Sequence, residues 1–237
     1  MTSDQPQTIL SHLEELRWRL IKIGVAVIVA GALALLFADQ ITNLLEGPFE
    51  EAAPRSNLQA LAVGEQWGVL MRIGLFGGLI IGSPVVLYQI WAFVNPALTP
   101  RERKWAIPIV AALVVLFLGG VAFGYWSLPR GLDFLLEIFP GVETNLQIGL
   151  YYSFTLRFLL AFGIAFLYPV FLFAAAAARV VTAEQLARGR RWAVLIIVIG
   201  AAFITPSGDA FTLLVLSIPL YLMYEATYWL VRLTLRR

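Results

Sequence analysis

Residues 11–38 read SHLEELRWRLIKIGVAVIVAGALALLFA, in which a densely charged start is followed directly by a long apolar run. Ser11 and, three residues later, Glu14 form the pattern of a capping box, in which a hydroxyl and a carboxylate satisfy the free amides of a helix start. The stretch therefore predicts a helix that begins in water at Ser11 and then enters a membrane.

The local helix pattern gives Glu14 a role at the helix start but gives no such role to Glu15. It lies away from the apolar stripe of the helix, and Arg19, one turn later, is a possible i,i+4 partner. We therefore treat Glu15 as a candidate for binding a cationic peptide at the membrane surface.

The composition indicates a polytopic membrane protein. Of the 237 residues, 60% are hydrophobic and 14% are charged, and the mean hydropathy is +0.82, which is outside the range of soluble domains. The sequence has no cysteine and one histidine, so we expect no disulfide, no metal site and no cofactor. The net charge of +2 does not suggest binding of nucleic acid. The N-terminus lacks the pattern of a cleaved signal peptide, so we expect the first apolar run to be retained.

We predict six membrane-spanning helices in one membrane domain over residues 1–237, because about 20 apolar residues cross a bilayer. Their predicted bounds are about 20–38, 67–94, 105–126, 148–178, 192–204 and 210–231. The second is longer than a straight crossing requires, so we expect tilt or a bend at Pro84. The fifth is too short to cross a bilayer of full thickness.

Two of the predicted connections are long. Residues 40–65 are polar and contain Pro48, and we expect them to form an external loop or cap. The connector at 127–147 carries an apolar face that we expect to lie on the membrane interface. That face consists of Leu132, Leu135, Leu136 and Phe139.

Lysine and arginine are concentrated on one side of the predicted bundle, and such residues are retained on the cytoplasmic side during insertion. This side carries Arg17, Arg19, Lys22, Arg101, Arg103, Lys104, Arg188, Arg190, Arg191, Arg232, Arg236 and Arg237, whereas the opposite loops carry Arg55 and Arg130. Both termini are therefore predicted to be cytoplasmic.

The sequence contains none of the enzyme signatures that we sought, such as a nucleophile elbow, HExxH or a phosphate-binding glycine loop. Three charged residues, Arg72, Arg157 and Glu225, are predicted at membrane depth. Arg72 and Glu225 lie towards the ends of their predicted spans. Each of them either extends its charged group to the membrane surface or has a functional role, and the sequence does not decide between the two. A proton-coupled small-solute carrier using Arg157 and Glu225 is the alternative function, although no internal repeat supports it.

Residues 91–104, WAFVNPALTPRERK, form a second cluster on the cytoplasmic side. Pro96 and Pro100 exclude a continuous helix and stiffen this link. Glu102 stands among three cations, so it is either an internally paired loop charge or a carboxylate that converges with Glu15 on one ligand. Carboxylates bind arginine well because the planar guanidinium can meet them bidentately.

Several stretches together resemble the TatC family, the large subunits of the twin-arginine protein translocase. They are HLEELR at 12–17, SPVVLYQIWAF at 83–93 with PAL at 96–98 and ER at 102–103, AFG at 161–163 with Phe166 and Pro169, ITPSGD at 204–209, and IPLY at 218–221 with Tyr224 and Glu225. They follow the family's order and cover nearly the whole chain.

The resemblance implies an all-α fold of six spans arranged as a concave wall, with an outer cap from the first two external loops and no enzymatic activity. It implies a signal-peptide receptor and core subunit of an oligomeric complex in the cytoplasmic (inner) membrane. Such complexes export folded proteins with the proton-motive force and include single-span TatA and TatB subunits.

The same resemblance assigns roles to individual residues. Glu15 and Glu102 match the carboxylates that recognise the arginine pair of the signal peptide, and the recognition surface also includes Leu16, Arg17, Phe93 and Arg103. The resemblance also marks Pro48 and Asp209. The arguments from the residues themselves add Pro84, Pro96, Arg157 and Glu225 as further structural or functional positions.

One position departs from the family pattern. Many relatives carry Glu or Gln in the fourth span where this chain has Leu167, so any role of that polar side chain is missing or supplied elsewhere. Arg157, ten positions earlier on the same predicted span, is a candidate.

Overall fold

The computed structural model describes residues 9–54, 56–94, 106–137, 146–177, 179–204 and 210–235. Within these residues the chain forms α-helices, one π-helical turn and two short strands. In chain order they are α1 (Ile9–Leu36), α2 (Ala38–Ala52), β1 (Leu58–Gln59), α3 (Glu65–Arg72), the π-helical turn (Ile73–Gly77), α4 (Gly78–Ile81), α5 (Ser83–Val94), α6 (Ala106–Glu137), β2 (Leu146–Gln147), α7 (Ile148–Ala165), α8 (Tyr168–Ala177), α9 (Ala183–Arg188), α10 (Arg190–Ile204) and α11 (Ala210–Leu235).

Four helical stretches of the described residues are long and apolar enough to cross a membrane. They are Ser11–Leu36, Ile107–Phe134, Ile148–Ala177 and Thr212–Thr234, and a fifth forms if Glu65–Ile81 and Ser83–Phe93 make one bent span. The prediction of a helical multi-pass membrane protein is confirmed. The predicted fifth span corresponds to α10, whose 15 residues extend only about 22 Å. The count of six spans, the single domain and the cytoplasmic termini remain predictions.

The helix boundaries correct one prediction near the N-terminus and refine another. Because α1 already includes Ile9, Ser11 lies within the helix and the predicted capping box is wrong. The segment at 40–65 is not simply a loop, since α2 occupies its first part. The polar stretch therefore begins as a helix that packs on the bundle.

The predicted connector after the third span is also different. Helix α6 continues past Trp126 to Glu137, with Pro129 inside it. Leu132, which we expected on the membrane interface, is buried against cap and bundle residues such as Phe49 and Tyr151. Leu136 packs against the same core, so the described part of this face covers protein instead of lipid. The side chain of Leu135 and the whole of Phe139 lie outside the described residues. Next to it, β1 and β2 pair in parallel, with Leu58 opposite Leu146.

The expected bend in the second span is present. Its two halves meet at an angle of 57°, and the break falls at Gly82, directly before α5. Pro84 is the second residue of α5, where a missing N–H costs little because the first amides of a helix have no intrahelical acceptor.

Glycines bring α1 into backbone contact with the second span. A Cβ added at Gly78 would lie 2.6 Å from the Val27 carbonyl oxygen, and one at Gly31 would lie 2.7 Å from the Gly74 carbonyl oxygen. Neither position has room for a side chain. Contacts of this kind allow helices to associate in lipid, where burial of apolar surface provides no driving force.

We expect Gly78→Ala to lower the free energy of unfolding by about 1–3 kcal/mol, the usual cost of overpacking. Gly24→Ala on α1 is the matched control, because a Cβ there has no neighbour within 4 Å. Thermal unfolding in detergent, followed by circular dichroism, compares the two variants. Equal melting temperatures would contradict the close contact.

Candidate functional site

The Glu15 carboxylate is half-buried on α1 and pairs within its own helix. Arg19 Nε donates a hydrogen bond of 2.9 Å to Glu15 Oε1, and Arg19 Nη2 donates to the same oxygen. The i,i+4 pairing, which the sequence left open as one possibility, is present in the structure. Arg19 leaves Oε2, the second carboxylate oxygen, open to another cation.

His12 connects Glu15 to helix α5. Its ring stacks on Phe93 with the centroids 4.4 Å apart and an interplanar angle of 15°. His12 Nδ1 lies 3.7 Å from Glu15 Oε2, which is beyond hydrogen-bond distance. Among the described residues this buried nitrogen has no hydrogen-bond partner. A polar ligand group near Glu15 could supply one.

Arg19 makes a second connection between the two helices. Its Nη1 donates a hydrogen bond of 3.3 Å to Oε1 of Gln89, a buried side chain of α5. Arg19 therefore links Glu15 on its own helix to a polar group on the other. We refer to His12, Glu15, Arg19, Gln89 and Phe93 as the α1–α5 cluster.

The structure brings together two residues that the sequence singled out, Glu15 and Phe93. Leu16 is half-buried beside them, and Arg17 is exposed. Pro96, Glu102 and Arg103 lie outside the described residues, so the approach of Glu102 to Glu15 remains a prediction.

Sequence reasoning did not select His12 and Gln89 as site residues. A signal was nevertheless present, because His12 is the only histidine and Gln89 is a polar side chain in the apolar run before Phe93. Polar groups inside apolar spans usually have a partner or a function.

At the opposite end of the bundle, Pro48 is buried inside α2. Proline has no N–H, so the carbonyl of Leu44, four residues earlier, loses its helical donor. Tyr125 of α6 replaces that donor, since its hydroxyl donates a hydrogen bond of 2.9 Å to the Leu44 oxygen. Pro48 thereby creates the acceptor that ties α2 to α6.

Two tyrosines of α7 hold the same part of α2. The Tyr151 hydroxyl donates to the Leu45 carbonyl at 2.5 Å, and the Tyr152 hydroxyl donates to Glu46 Oε1 at 2.8 Å. Buried hydroxyls require such partners because an unpaired polar group is costly in apolar surroundings. Helix α2 is thus attached to α6 and α7 as a cap.

Glu225 pairs with Arg190 and not with Arg157. Arg190 Nη2 donates to Glu225 Oε2 at 2.9 Å, and the Tyr221 hydroxyl donates to Oε1 at 3.0 Å. The hydrogen bond with Glu225 raises the pKa of Arg190, while partial desolvation opposes the rise. The pair joins the start of α10 to α11, so its evident role is structural.

Arg157 and Arg72 are the other two charged residues that the sequence predicted at membrane depth. Arg157 is exposed on α7 and forms no ion pair with any residue that the structure describes, and Arg72 is half-buried. Leu167 is only 7% exposed and packs in an apolar cluster with Trp91 and Phe117. Its position therefore contributes packing in this chain. Asp209 lies outside the described residues.

These features define a class of protein: a helical multi-pass membrane protein, capped at one end and carrying a polar and aromatic cluster at the other. Within the described part of the chain, no group of histidine and carboxylate side chains could hold a metal ion. The family model of the Sec-independent protein translocase protein (TatC) matches residues 11–219. The chain belongs to the TatC family.

Individual relatives agree with this assignment. The TatC protein of Aquifex aeolicus is 37% identical over 230 residues, which cover 95% of each chain. That of Xylanimonas cellulosilytica is 38% identical over 218 residues, covering 90% of this chain and 79% of the relative. A crystal structure of the twin arginine translocase receptor TatC in DDM matches with a TM-score of 0.81 at 37% identity, over 92% of this chain and 98% of that one.

The comparisons confirm the family suggested by the sequence motifs and the expectation of a protein that is not an enzyme, since the relatives are translocase proteins. They give no support to the alternative of a proton-coupled solute carrier. The pairing of Glu225 with Arg190 also removes one of the two residues on which that alternative relied.

The role of Pro48 can be tested by a double-mutant cycle with Tyr125. We expect Tyr125→Phe to lower the free energy of unfolding by about 1 kcal/mol, the net worth of one hydrogen bond. Pro48→Ala supplies a helical N–H to Leu44, so Tyr125→Phe should cost less than half as much in that background. Unfolding in detergent measures all four proteins, and an equal cost in both backgrounds would exclude this coupling.

Proposed function

We propose that this chain is the signal-peptide receptor and core subunit of the twin-arginine translocase, which exports folded proteins across the cytoplasmic membrane. The observation that carries the proposal is that Glu15 and Phe93, from two separate helices, both lie next to His12 in the α1–α5 cluster. The similar crystal structure is described as a twin arginine translocase receptor, which supports the same function.

The α1–α5 cluster suits a guanidinium ligand. Glu15 Oε2 can accept from one arginine of the peptide, and the stacked rings of His12 and Phe93 offer a flat aromatic surface beside it. Arg19 already occupies Oε1, but a helical i,i+4 pair contributes only about 0.2–0.5 kcal/mol. An incoming arginine can therefore share the carboxylate or displace Arg19.

Glu102 supplies the second carboxylate in this proposal. It lies in sequence four residues before Ala106, the first residue of α6, and eight after Val94, the last residue of α5. Two carboxylates at one rim would bind two adjacent arginines. Since a hydrogen bond to a charged group is worth roughly 1.5–3 kcal/mol, two such pairs give selectivity and still permit release.

We expect Glu15→Gln and Glu102→Gln each to weaken binding of a twin-arginine signal peptide by about tenfold or more, the equivalent of at least 1.4 kcal/mol. Replacing the two arginines of the peptide by lysines should weaken binding to the wild-type protein, because an ammonium lacks the fork geometry of a guanidinium. Fluorescence anisotropy of a labelled peptide with the full-length protein in detergent measures both effects.

Glu14→Gln is the matched control, because Glu14 is the exposed carboxylate next to Glu15 on the same helix. It should leave the affinity within about twofold, since surface charges contribute little. Undiminished affinity in both the Glu15 and the Glu102 variants would refute the receptor site.

Localisation and orientation belong to the same proposal. The chain resides in the cytoplasmic (inner) membrane with both termini in the cytoplasm, and the proton-motive force drives transport. The concentration of lysine and arginine on one side of the predicted bundle supports this orientation.

Single-span subunits of the TatA and TatB type bind beside helices α10 and α11 in this proposal. Helix α10 is too short for a bilayer of full thickness, so the bilayer thins there or a partner fills the gap. Its exposed apolar residues recur at helical spacing and form a packing stripe. The stripe consists of Trp192, Ile196, Ile199 and Phe203.

Disulfide crosslinking tests this partner surface cleanly, because the chain has no cysteine of its own. We expect Ile196→Cys and Phe203→Cys to crosslink to single-cysteine variants of TatA or TatB in native membranes. Ile28→Cys, on the exposed apolar face of α1, is the control and should not crosslink. If the α10 positions crosslink no more than Ile28, the surface lies elsewhere.

A further inference from the structure

An apolar tip protrudes from the chain between β1 and α3. Residues 61–63, Leu-Ala-Val, are all exposed; Leu61 is 71% exposed and Val63 fully so. Trp67, on the first turn of α3, is 69% exposed. We refer to residues 61–63 and Trp67 as the apolar tip. Large apolar side chains so fully exposed together at a protruding turn indicate a contact surface.

The apolar tip has a fixed shape. Glu65 Oε2 accepts hydrogen bonds from the backbone N–H of Leu61 at 2.8 Å and of Ala62 at 3.4 Å. The other oxygen, Oε1, accepts from the Gly149 N–H at 2.8 Å, which anchors the tip to the start of α7. A tip that is already ordered loses little conformational freedom on contact.

The length of the second span places this tip at a membrane surface. The segments Glu65–Ile81 and Ser83–Phe93 meet at 57°. At a rise of 1.5 Å per residue, and with this bend, Glu65 and Phe93 are separated by about 30–36 Å along the bilayer normal. This range holds whether the normal follows one of the two segments or lies between them. The hydrocarbon core is about 30 Å thick. With the α1–α5 cluster at one interface, the apolar tip lies at the other.

The apolar tip also continues a surface that lipid must cover. Trp67, Met71 and Leu75 are spaced four residues apart on the second span, and all three are exposed. This stripe runs directly from the tip towards the middle of the bilayer. No charged residue occurs from Leu58 to Gly64, although the preceding cap helix α2 exposes Glu50 and Glu51. The tip therefore lacks the charge that would keep it in water.

We propose that the apolar tip inserts into the headgroup and acyl-chain boundary of the leaflet opposite the α1–α5 cluster and anchors the cap to the lipid surface. Tryptophan is favoured at this depth because its ring is apolar and its N–H is polar. Leu61 and Val63 lie beside it in the acyl region, as in other interfacial segments. Glu65 is a positioning residue that holds the tip in the orientation for insertion.

Site-directed spin labelling of the full chain in phosphatidylethanolamine and phosphatidylglycerol vesicles tests the proposal. Nitroxides are attached to Leu61→Cys and Val63→Cys, and collision with oxygen, which partitions into lipid, is compared with collision with a water-soluble nickel chelate. Glu51→Cys is the control for an exposed aqueous position, and Ile28→Cys is the control for an exposed position inside a span.

We expect the ratio of oxygen to nickel collisions at Leu61 and Val63 to exceed that at Glu51 several-fold and to approach that at Ile28. A ratio at both tip positions equal to that at Glu51 would overturn the proposal. Dipolar broadening between labels, or a disulfide between Val63→Cys in two copies, would also overturn it, because the tip would then contact a second copy of this chain.

Discussion

Backbone contact between α1 and the glycines of the second span is the constraint on which the remaining structure depends. With Gly31 against Gly74 and Gly78 against Val27, the two helices approach without intervening side chains. Lipid tails are as apolar as leucine, so helices in a bilayer associate through such close packing and not through burial of apolar surface. The contact fixes the distance from α1 to the bent second span, and the bend then carries α5 to the end of α1 where Glu15 lies.

Polar groups serve two different purposes in this molecule. At the capped end, tyrosine hydroxyls bond backbone carbonyls of α2, the helix that contains Pro48. The same device recurs where the Tyr224 hydroxyl bonds the Leu186 carbonyl in the last turn of α9. The bond to Leu44 satisfies an acceptor that Pro48 leaves without its helical donor, and the bonds to Leu45 and Leu186 give the buried hydroxyls of Tyr151 and Tyr224 a partner. The α1–α5 cluster instead keeps His12 Nδ1, which has no hydrogen-bond partner among the described residues, near one oxygen of Glu15, an arrangement suited to a ligand.

Much of the fold could be predicted from the sequence, because the prediction relied on local patterns. The long apolar runs correspond to helices, and the bend expected near Pro84 falls two residues earlier, at Gly82. The predictions were wrong where a local sequence pattern arose from a different structural feature than the one we inferred. The Ser11 and Glu14 spacing falls inside a helix and not at its start. Leu132 belongs to the protein core because α6 continues through Pro129 and packs against the cap.

The sequence by itself determined the membrane class, the positions of the apolar helices, the TatC family and the one-turn spacing of Glu15 and Arg19, since each depends on composition, contiguous motifs or a single helical turn. Only the tertiary structure decided the stack of His12 on Phe93, the bond from Arg19 to Gln89 and the bond from Tyr125 to Leu44. The last two join residues 70 and 81 positions apart. Such contacts depend on the distance, rotation and bend with which whole helices pack. These quantities are set by glycines on two helices at once, and a local sequence pattern does not encode such a joint effect.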